Sequence, residues 1–254
     1  MASPDARGAG PGYDLIGSVY ARHRRPDPRV AGQIGRALGD AATVVNVGAG
    51  TGSYEPVGRT VVAVEPSGVM IGQRPPGSPP VVQAIAEDLP FPDDAFDAAM
   101  AILTIHHWTD AAAGLAEMAR VARRVVVFTF DPTVHKSFWL LRDYVPEANA
   151  LPSTNSIGPD TVAEVIGADR IEVVTVPADC VDGFNWAYWR RPRAYLDPDV
   201  RACISGLALL DDDLVVRRME RLRADLDDGS WMRRHGHLLG LESIDGGFRL
   251  VVRD

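Results

Sequence analysis

The chain has 254 residues, 46% of them hydrophobic, and a net charge of −8 from 26 Lys+Arg against 34 Asp+Glu. That length accommodates one large α/β domain or one domain with an added cap, and the acidic balance disfavours a nucleic-acid backbone as partner. No apolar run reaches bilayer-spanning length, Met1 to Tyr13 lacks a signal-like apolar segment, and the two cysteines, Cys180 and Cys203, have no metal-ligand spacing, so no membrane, a cytosolic location and reduced buried thiols are expected.

Residues 13–38 read as helical, with a break at Arg25-Pro26-Asp27-Pro28 and a stop at Gly39-Asp40. Residues 44–47 are a compact β-branched run, as a strand covered on both faces requires, and residues 61–64 repeat the pattern. Residues 81–84 are a weaker third strand and 96–103 a fourth. Between them Leu89-Pro90-Phe91-Pro92-Asp93-Asp94 must be a loop. Thr109 or Asp110 can cap a helix reaching Ala122, with Leu115, Met118 and Val121 facing inward, and residues 125–128 form a fifth strand. This alternation predicts a parallel sheet with right-handed crossovers. Residues 171–176 and 248–252 supply a sixth and a seventh strand. Between these lies a largely helical stretch, residues 178–245, rich in aromatics and arginine. Its clearest helix is 211–228, with Val215, Met219, Leu222 and Leu226 as buried stripe and Gly229 as stop. The stretch is expected to cap a ligand cleft within a single domain, 1–254, whose cofactor-binding core is 13–130.

The first strand ends in Gly48-Ala49-Gly50-Thr51-Gly52. Gly48 permits a tight turn, and Gly50 lets the backbone approach a ligand without a Cβ in the way. The second strand ends in Glu65, a carboxylate placed to accept from both hydroxyls of a ribose. Together they describe a nucleoside site. The spacing is G-x-G-x-G, with Ser53 where a dinucleotide fingerprint has its third glycine, which argues against NAD or FAD, and there is no P-loop motif.

Three stretches carry a resemblance: Asn46-Val47-Gly48-Ala49-Gly50-Thr51-Gly52, then Val64-Glu65-Pro66-Ser67 with Met70, then Ala86-Glu87-Asp88-Leu89-Pro90-Phe91-Pro92-Asp93-Asp94-Ala95-Phe96-Asp97. In this order and at these separations, the chain resembles the class I S-adenosylmethionine-dependent methyltransferases, in particular the broad group that includes the ubiquinone/menaquinone-biosynthesis-like enzymes. The resemblance implies an α/β fold: a Rossmann-like, doubly wound, seven-stranded sheet ordered 3-2-1-4-5-7-6, the last strand antiparallel, with the helical cap inserted before it. It implies S-adenosyl-L-methionine as cofactor and S-adenosyl-L-homocysteine as product. Gly48, Ala49, Gly50 and Thr51 would lie against the methionine moiety and ribose, Glu65 on the ribose, and Pro66 and Met70 beside the adenine. Backbone around Ala86 and Glu87 would meet the adenine's polar edge, Leu103 would use its backbone near the ammonium group, and His106 would lie close to the sulfonium. Members usually carry an acid at Asn46, and many carry Asp at Ile85; neither is present here.

Upstream, Tyr13, Tyr20, Arg24 and Arg25 match a helix that closes over the cofactor in similar enzymes. Arg24 or Arg25 could pair with the methionine carboxylate, and Tyr20 could wall the active site. His106 and His107, with Trp108, follow the fourth strand, where an imidazole could take a proton from the acceptor or orient it; an acceptor that needs no base leaves both as spectators. In the insert, Trp186, Tyr188, Trp189 and Arg190 could clasp a flat or anionic substrate, the alternative being that the aromatics pack the insert onto the sheet and the arginines face solvent. His135, His235 and His237 suggest no metal constellation. The expected activity is methyl transfer to a small-molecule acceptor by in-line displacement. Its rivals are a non-methylating relative that binds S-adenosylmethionine, an NAD-linked oxidoreductase and, against the net charge, RNA methylation. Oligomeric state is not encoded in any pattern here.

Overall fold

The computed structural model describes residues 25–151 and 157–254. In chain order its strands are β1 (Thr43–Val47), β2 (Thr60–Val64), β3 (Val81–Val82), β4 (Phe96–Ile102), β5 (Ala122–Phe130), β6 (Arg170–Val173), β7 (Val176–Pro177), β8 (Ser243–Ile244) and β9 (Phe248–Arg253). Seven of them form one sheet in the order β3-β2-β1-β4-β5-β9-β6. The pairs from β3 to β5 are parallel, and β9 runs antiparallel to both β5 and β6. With β9 as the seventh strand of this sheet, the order is the expected 3-2-1-4-5-7-6.

Side chains alternate across the sheet, and both faces are covered. Along β5, Val126, Phe128 and Phe130 enter one core while Val125 and Val127 enter the other. The first core takes in the helix Pro28–Ala37 and the insert. The second holds the helices Ala111–Val121 and Pro159–Ile166. This is why the central strands are almost wholly apolar: each is buried twice.

Local signals act where expected. Asp110 caps Ala111–Val121 by accepting from Ala113 N, and Asp211 caps Asp212–Asp227 through Leu214 N. Of the proposed helix 13–38, the described part is Pro28–Ala37, opened by Pro28 after its cap Asp27; Tyr13, Tyr20 and Arg24 lie outside the described residues. The sixth strand differs from its expectation. It divides into β6 and β7, and β7 leaves the large sheet to pair with β8. Pro177 has no N–H with which to extend a ladder. The short β7–β8 pair joins the two ends of the insert at its base.

The insert packs by aromatic contact. Trp139 meets Trp231 at 5.5 Å, Tyr195 at 5.6 Å and Tyr144 at 5.9 Å, all edge to face, and Phe138 stacks on Trp186 at 4.3 Å. Trp139 and Trp189 are pinned by their indole N–H groups. The first donates to Trp189 O at 3.1 Å, the second to Val176 O at 3.1 Å.

Candidate active site

A cleft opens at the carboxyl ends of β1, β2 and β4. Such a position is where a doubly wound sheet binds ligands. Its wall brings together Asn46, Gly48, Ala49, Gly50 and Thr51 from the glycine turn, Glu65, Pro66 and Met70 from the end of β2, and Ala86, Glu87 and Leu103.

The turn is built for close approach. Gly48 has φ +69° and Gly50 φ +53°, both left-handed. Gly48 N and Ala49 N donate to Val64 O at 2.9 and 3.0 Å, which folds the turn back over β2. A Cβ on Gly48 would sit 2.2 Å from Thr104 Oγ1, so the strand end can be held this tightly only without a side chain.

Glu65 is buried and fixed by backbone. Gly50 N donates to Oε2 at 2.8 Å and Ser67 N to Oε1 at 2.9 Å. Each oxygen keeps acceptor capacity for a ligand hydroxyl. Burial pushes the carboxyl above the usual range. The Ser67 and Gly50 N–H groups and the Arg74 guanidinium pull it partly back.

Leu103 follows β4 at φ +50°, a left-handed conformation that a branched side chain adopts at a cost of about 1–2 kcal/mol. Its N–H still bonds to Phe128 O at 2.8 Å. Strain of this kind collects at ligand sites. Beyond it, the three-residue turn Ile105–His107 sets the histidines apart. His107 lines the cleft and His106 does not. The His106 ring lies 3.9 Å from that of His107 and 5.2 Å from Phe130. Phe130 in turn meets the buried His135 at 4.5 Å.

The insert residues take a different place from the one a substrate clasp needs. Trp186 and Trp189 are 4% and 0% exposed and belong to the core. Tyr188 is half-buried, with Arg191 over its ring at 4.8 Å. Neither these nor Arg190 contribute to the cleft wall. The alternative reading, in which the aromatics pack the insert onto the sheet, describes Trp186 and Trp189. Arg25 is exposed and also stands apart from the wall.

Several residues have a role here that the sequence alone does not assign. Ser67 caps the short helix Gly68–Gly72 and supplies one of the two N–H groups on Glu65; a Ser just before a short apolar run was the available signal. Trp108 lines the cleft and lies so close over Gly114 that a Cβ there would fall 2.5 Å from its ring. Tyr54, directly past the glycine turn, donates to Asp182 at 2.8 Å and accepts from Asp27 N at 3.2 Å, tying the turn to the start of the insert. Glu87 accepts from Asp110 N at 3.0 Å through one oxygen, which anchors its carboxylate beside the apolar Ile85 on the cleft wall.

The glycine turn, the doubly anchored Glu65 and the apolar flank of Met70 and Ile85 fit an adenosyl ligand. A Cβ at Gly48 would fill the cradle, and Glu65 presents acceptors where a ribose needs them. Comparison with known proteins agrees. The model of a methyltransferase domain matches residues 45–130. A demethylmenaquinone methyltransferase of Mycolicibacterium paratuberculosis is 30% identical over 194 residues, which is 70% of this chain and 83% of that protein. The chloroplastic 2-methyl-6-phytyl-1,4-hydroquinone methyltransferase 2 of Oryza sativa subsp. japonica is 34% identical over 111 residues, 39% of this chain; the match spans only 31% of the rice protein's length. A crystal structure described as a methyltransferase from an antibiotic biosynthesis pathway of Anabaena variabilis superposes with a TM-score of 0.83 at 34% identity, covering 91% of this chain and 99% of that one. Extended similarity at this level, joined to a cleft of this shape at the ends of β1 and β2, places the chain in the class I S-adenosylmethionine-dependent methyltransferases.

Proposed function

We propose that the enzyme methylates a small-molecule acceptor in the cytosol, with the insert 178–245 forming the far wall of the acceptor space. The observation that carries the small-molecule reading is the fate of the clustered arginines. Arg191 donates to the carbonyls of Cys180 and Ala187, Arg193 pairs with Asp227, and Arg234 pairs with Asp225. Arginines already paired within the chain are poor trackers of a phosphate backbone. The buried Cys180 thiol, pushed up to about 12 by burial, is unreactive. Among the described residues, no helix is long and apolar enough to cross a membrane.

When bound, S-adenosylmethionine supplies an electrophilic methyl group that the acceptor takes in one in-line displacement. The chain's own part is to hold and orient. Glu65 would hold the ribose and the glycine turn the methionine moiety. Met70 and Ala86 would flank the base and exclude water from it. His107, on the cleft wall, stands where an imidazole nitrogen can receive a proton from an acceptor hydroxyl or acidic carbon, and His106 packs behind it.

The test uses S-adenosylmethionine labelled on the methyl group, incubated with the enzyme and a cell extract fractionated into small molecules, RNA and protein. Label in the small-molecule fraction is expected. Label confined to RNA or protein would sink the proposal, and absence of label with intact S-adenosylhomocysteine binding would favour a non-methylating relative.

A further inference from the structure

Behind the glycine turn lies a buried polar trio that the cofactor contacts alone do not explain. The side chains of Arg74 and Glu55 are 4% and 9% exposed. One terminal nitrogen of Arg74 donates to both Glu55 oxygens, at 2.8 and 2.9 Å, and the other donates to Gly50 O at 3.3 Å. Asn46, on the cleft wall, donates through Nδ2 to Glu55 Oε1 at 3.1 Å.

An ionised carboxylate accepts hydrogen bonds and donates none. The carboxamide of Asn46 must therefore turn its nitrogen to Glu55, whichever way the electron-rich atoms are first assigned. What Asn46 can offer the cleft is its oxygen. With the ribose on Glu65 and the base beside Met70, the rest of the cleft runs from Asn46 and Gly48 to Leu103 and Thr104. The amino-acid end of the ligand falls there, and its ammonium is a donor in need of acceptors.

We infer that Glu55, held by Arg74, fixes Asn46 as an acceptor for the cofactor's ammonium group, so that an amide backed by a buried carboxylate does the work of a carboxylate on the cleft wall. Glu55 and Arg74 are positioning residues; Asn46 touches the ligand. The charge at the far end of the amide polarises it and strengthens the oxygen as an acceptor. The arrangement also explains why an acid cannot simply replace Asn46: a second carboxylate would face Glu55 at hydrogen-bonding distance, and two such groups cannot both ionise. This inference rests on the adenosyl reading of the cleft.

The experiment is calorimetric titration at pH 8 with two probes, S-adenosylhomocysteine and adenosine, the latter lacking the amino-acid end. Asn46→Asp is expected to weaken S-adenosylhomocysteine about tenfold to a hundredfold, the range for a hydrogen bond to a charged group. The swap Asn46→Asp with Glu55→Gln moves the acid to the cleft wall and the amide behind it, leaving the net charge of the trio unchanged. It is expected to return S-adenosylhomocysteine affinity to within about threefold of wild type, since donor and acceptor are again matched between positions 46 and 55, while Arg74 keeps the amide oxygen and gives up its second acceptor there. Adenosine affinity should stay within about twofold throughout, as its atoms do not reach Asn46. Asn46→Asp binding S-adenosylhomocysteine undiminished, a folded swap that does not recover, or adenosine falling in step would each overturn the inference. Should Asn46→Asp fail to fold, the swap alone decides by the same criteria. Wild type failing to bind S-adenosylhomocysteine at all would overturn the cofactor assignment itself, and this inference with it.

Discussion

The glycine-turn end of the sheet and the insert solve different problems with different chemistry. Around the turn, most polar groups are paired: Glu65 takes two backbone N–H groups, Arg74 takes Glu55 and Gly50 O through its terminal nitrogens while its Nε has no partner, and Asn46 takes Glu55. In the insert the cohesion is aromatic, and buried polar atoms such as Asn185 Oδ1, Trp186 Nε1 and Trp231 Nε1 have no hydrogen-bond partner. Matched polar groups fix a geometry for one ligand. Aromatic packing fixes the shape of the insert.

The contrast breaks most sharply at Gly48. A valine there would meet Thr104 Oγ1 and adopt φ +69°, strained for any β-branched residue. Strain and overpacking together should cost about 4 kcal/mol at the cleft. The expected outcome is no measurable S-adenosylhomocysteine binding by calorimetry in a protein that still melts cooperatively. Adding Thr104→Ala relieves the overlap and leaves the backbone strain, so recovery should be partial. Full binding by Gly48→Val would show that the turn is not the cradle.

Where the insert packs onto the sheet, the counterpart is a pH effect at His135, whose ring neighbours Trp186. Burial holds His135 neutral by lowering its pKa from 6.5 to about 4. Below pH 6.5 the unfolded chain takes up a proton that the folded chain refuses until about pH 4. Stability from this residue is thus complete above pH 6.5 and declines as pH falls toward 4, by about 3 kcal/mol at most. Melting curves across this range should show a steeper loss in wild type than in His135→Gln, which cannot titrate. Equal slopes would mean that His135 is not sealed in as described.

These two regions were also unequally legible in the sequence. The glycine turn and Glu65 could be read because each is a local pattern at a strand end; Met70 and the sheet order followed from the family resemblance that these patterns carry. Glu55 and Arg74 could not, because their meaning lies in a pairing across 19 residues that no local spacing announces. The histidines show the limit at finer scale. In a three-residue turn successive side chains point about 120° apart, so a pattern places the His106-His107 pair at the cleft but not which ring enters it; the wall takes His107. Trp186 and Trp189 fail for another reason: composition alone cannot separate an aromatic that packs a core from one that clasps a substrate. The division of 171–176 into β6 and β7 is invisible in sequence because an apolar run says nothing about its partner strand.

Glu65 sharpens the comparison from the cofactor side. Glu65→Gln keeps the shape but weakens acceptance from two ribose hydroxyls, and should cost about 2 kcal/mol of S-adenosylhomocysteine affinity. The wild-type carboxyl is raised by burial, so ligand binding, which favours the ionised form, should draw protons off it. Affinity is then full above the raised pKa and falls as pH is lowered through it, at higher pH than an ordinary glutamate would show. The Gln variant should lack this dependence. A parallel pH profile in both would assign it to another group.

The smallest effect is the one that best separates packing from recognition. Trp189 donates to Val176 O at 3.1 Å and to Pro177 O at 3.3 Å, bracing β7 where the insert leaves the sheet. Trp189→Phe keeps most of the ring and removes the donor, which should lower stability by about 1 kcal/mol. If Trp189 serves only the core, KM for the acceptor stays put once the folded fraction is counted. A several-fold rise in acceptor KM, with S-adenosylmethionine KM unchanged, would return Trp189 to the substrate side of the molecule. It would also mean that the aromatic insert reads the acceptor through the position of β7, and not by direct contact.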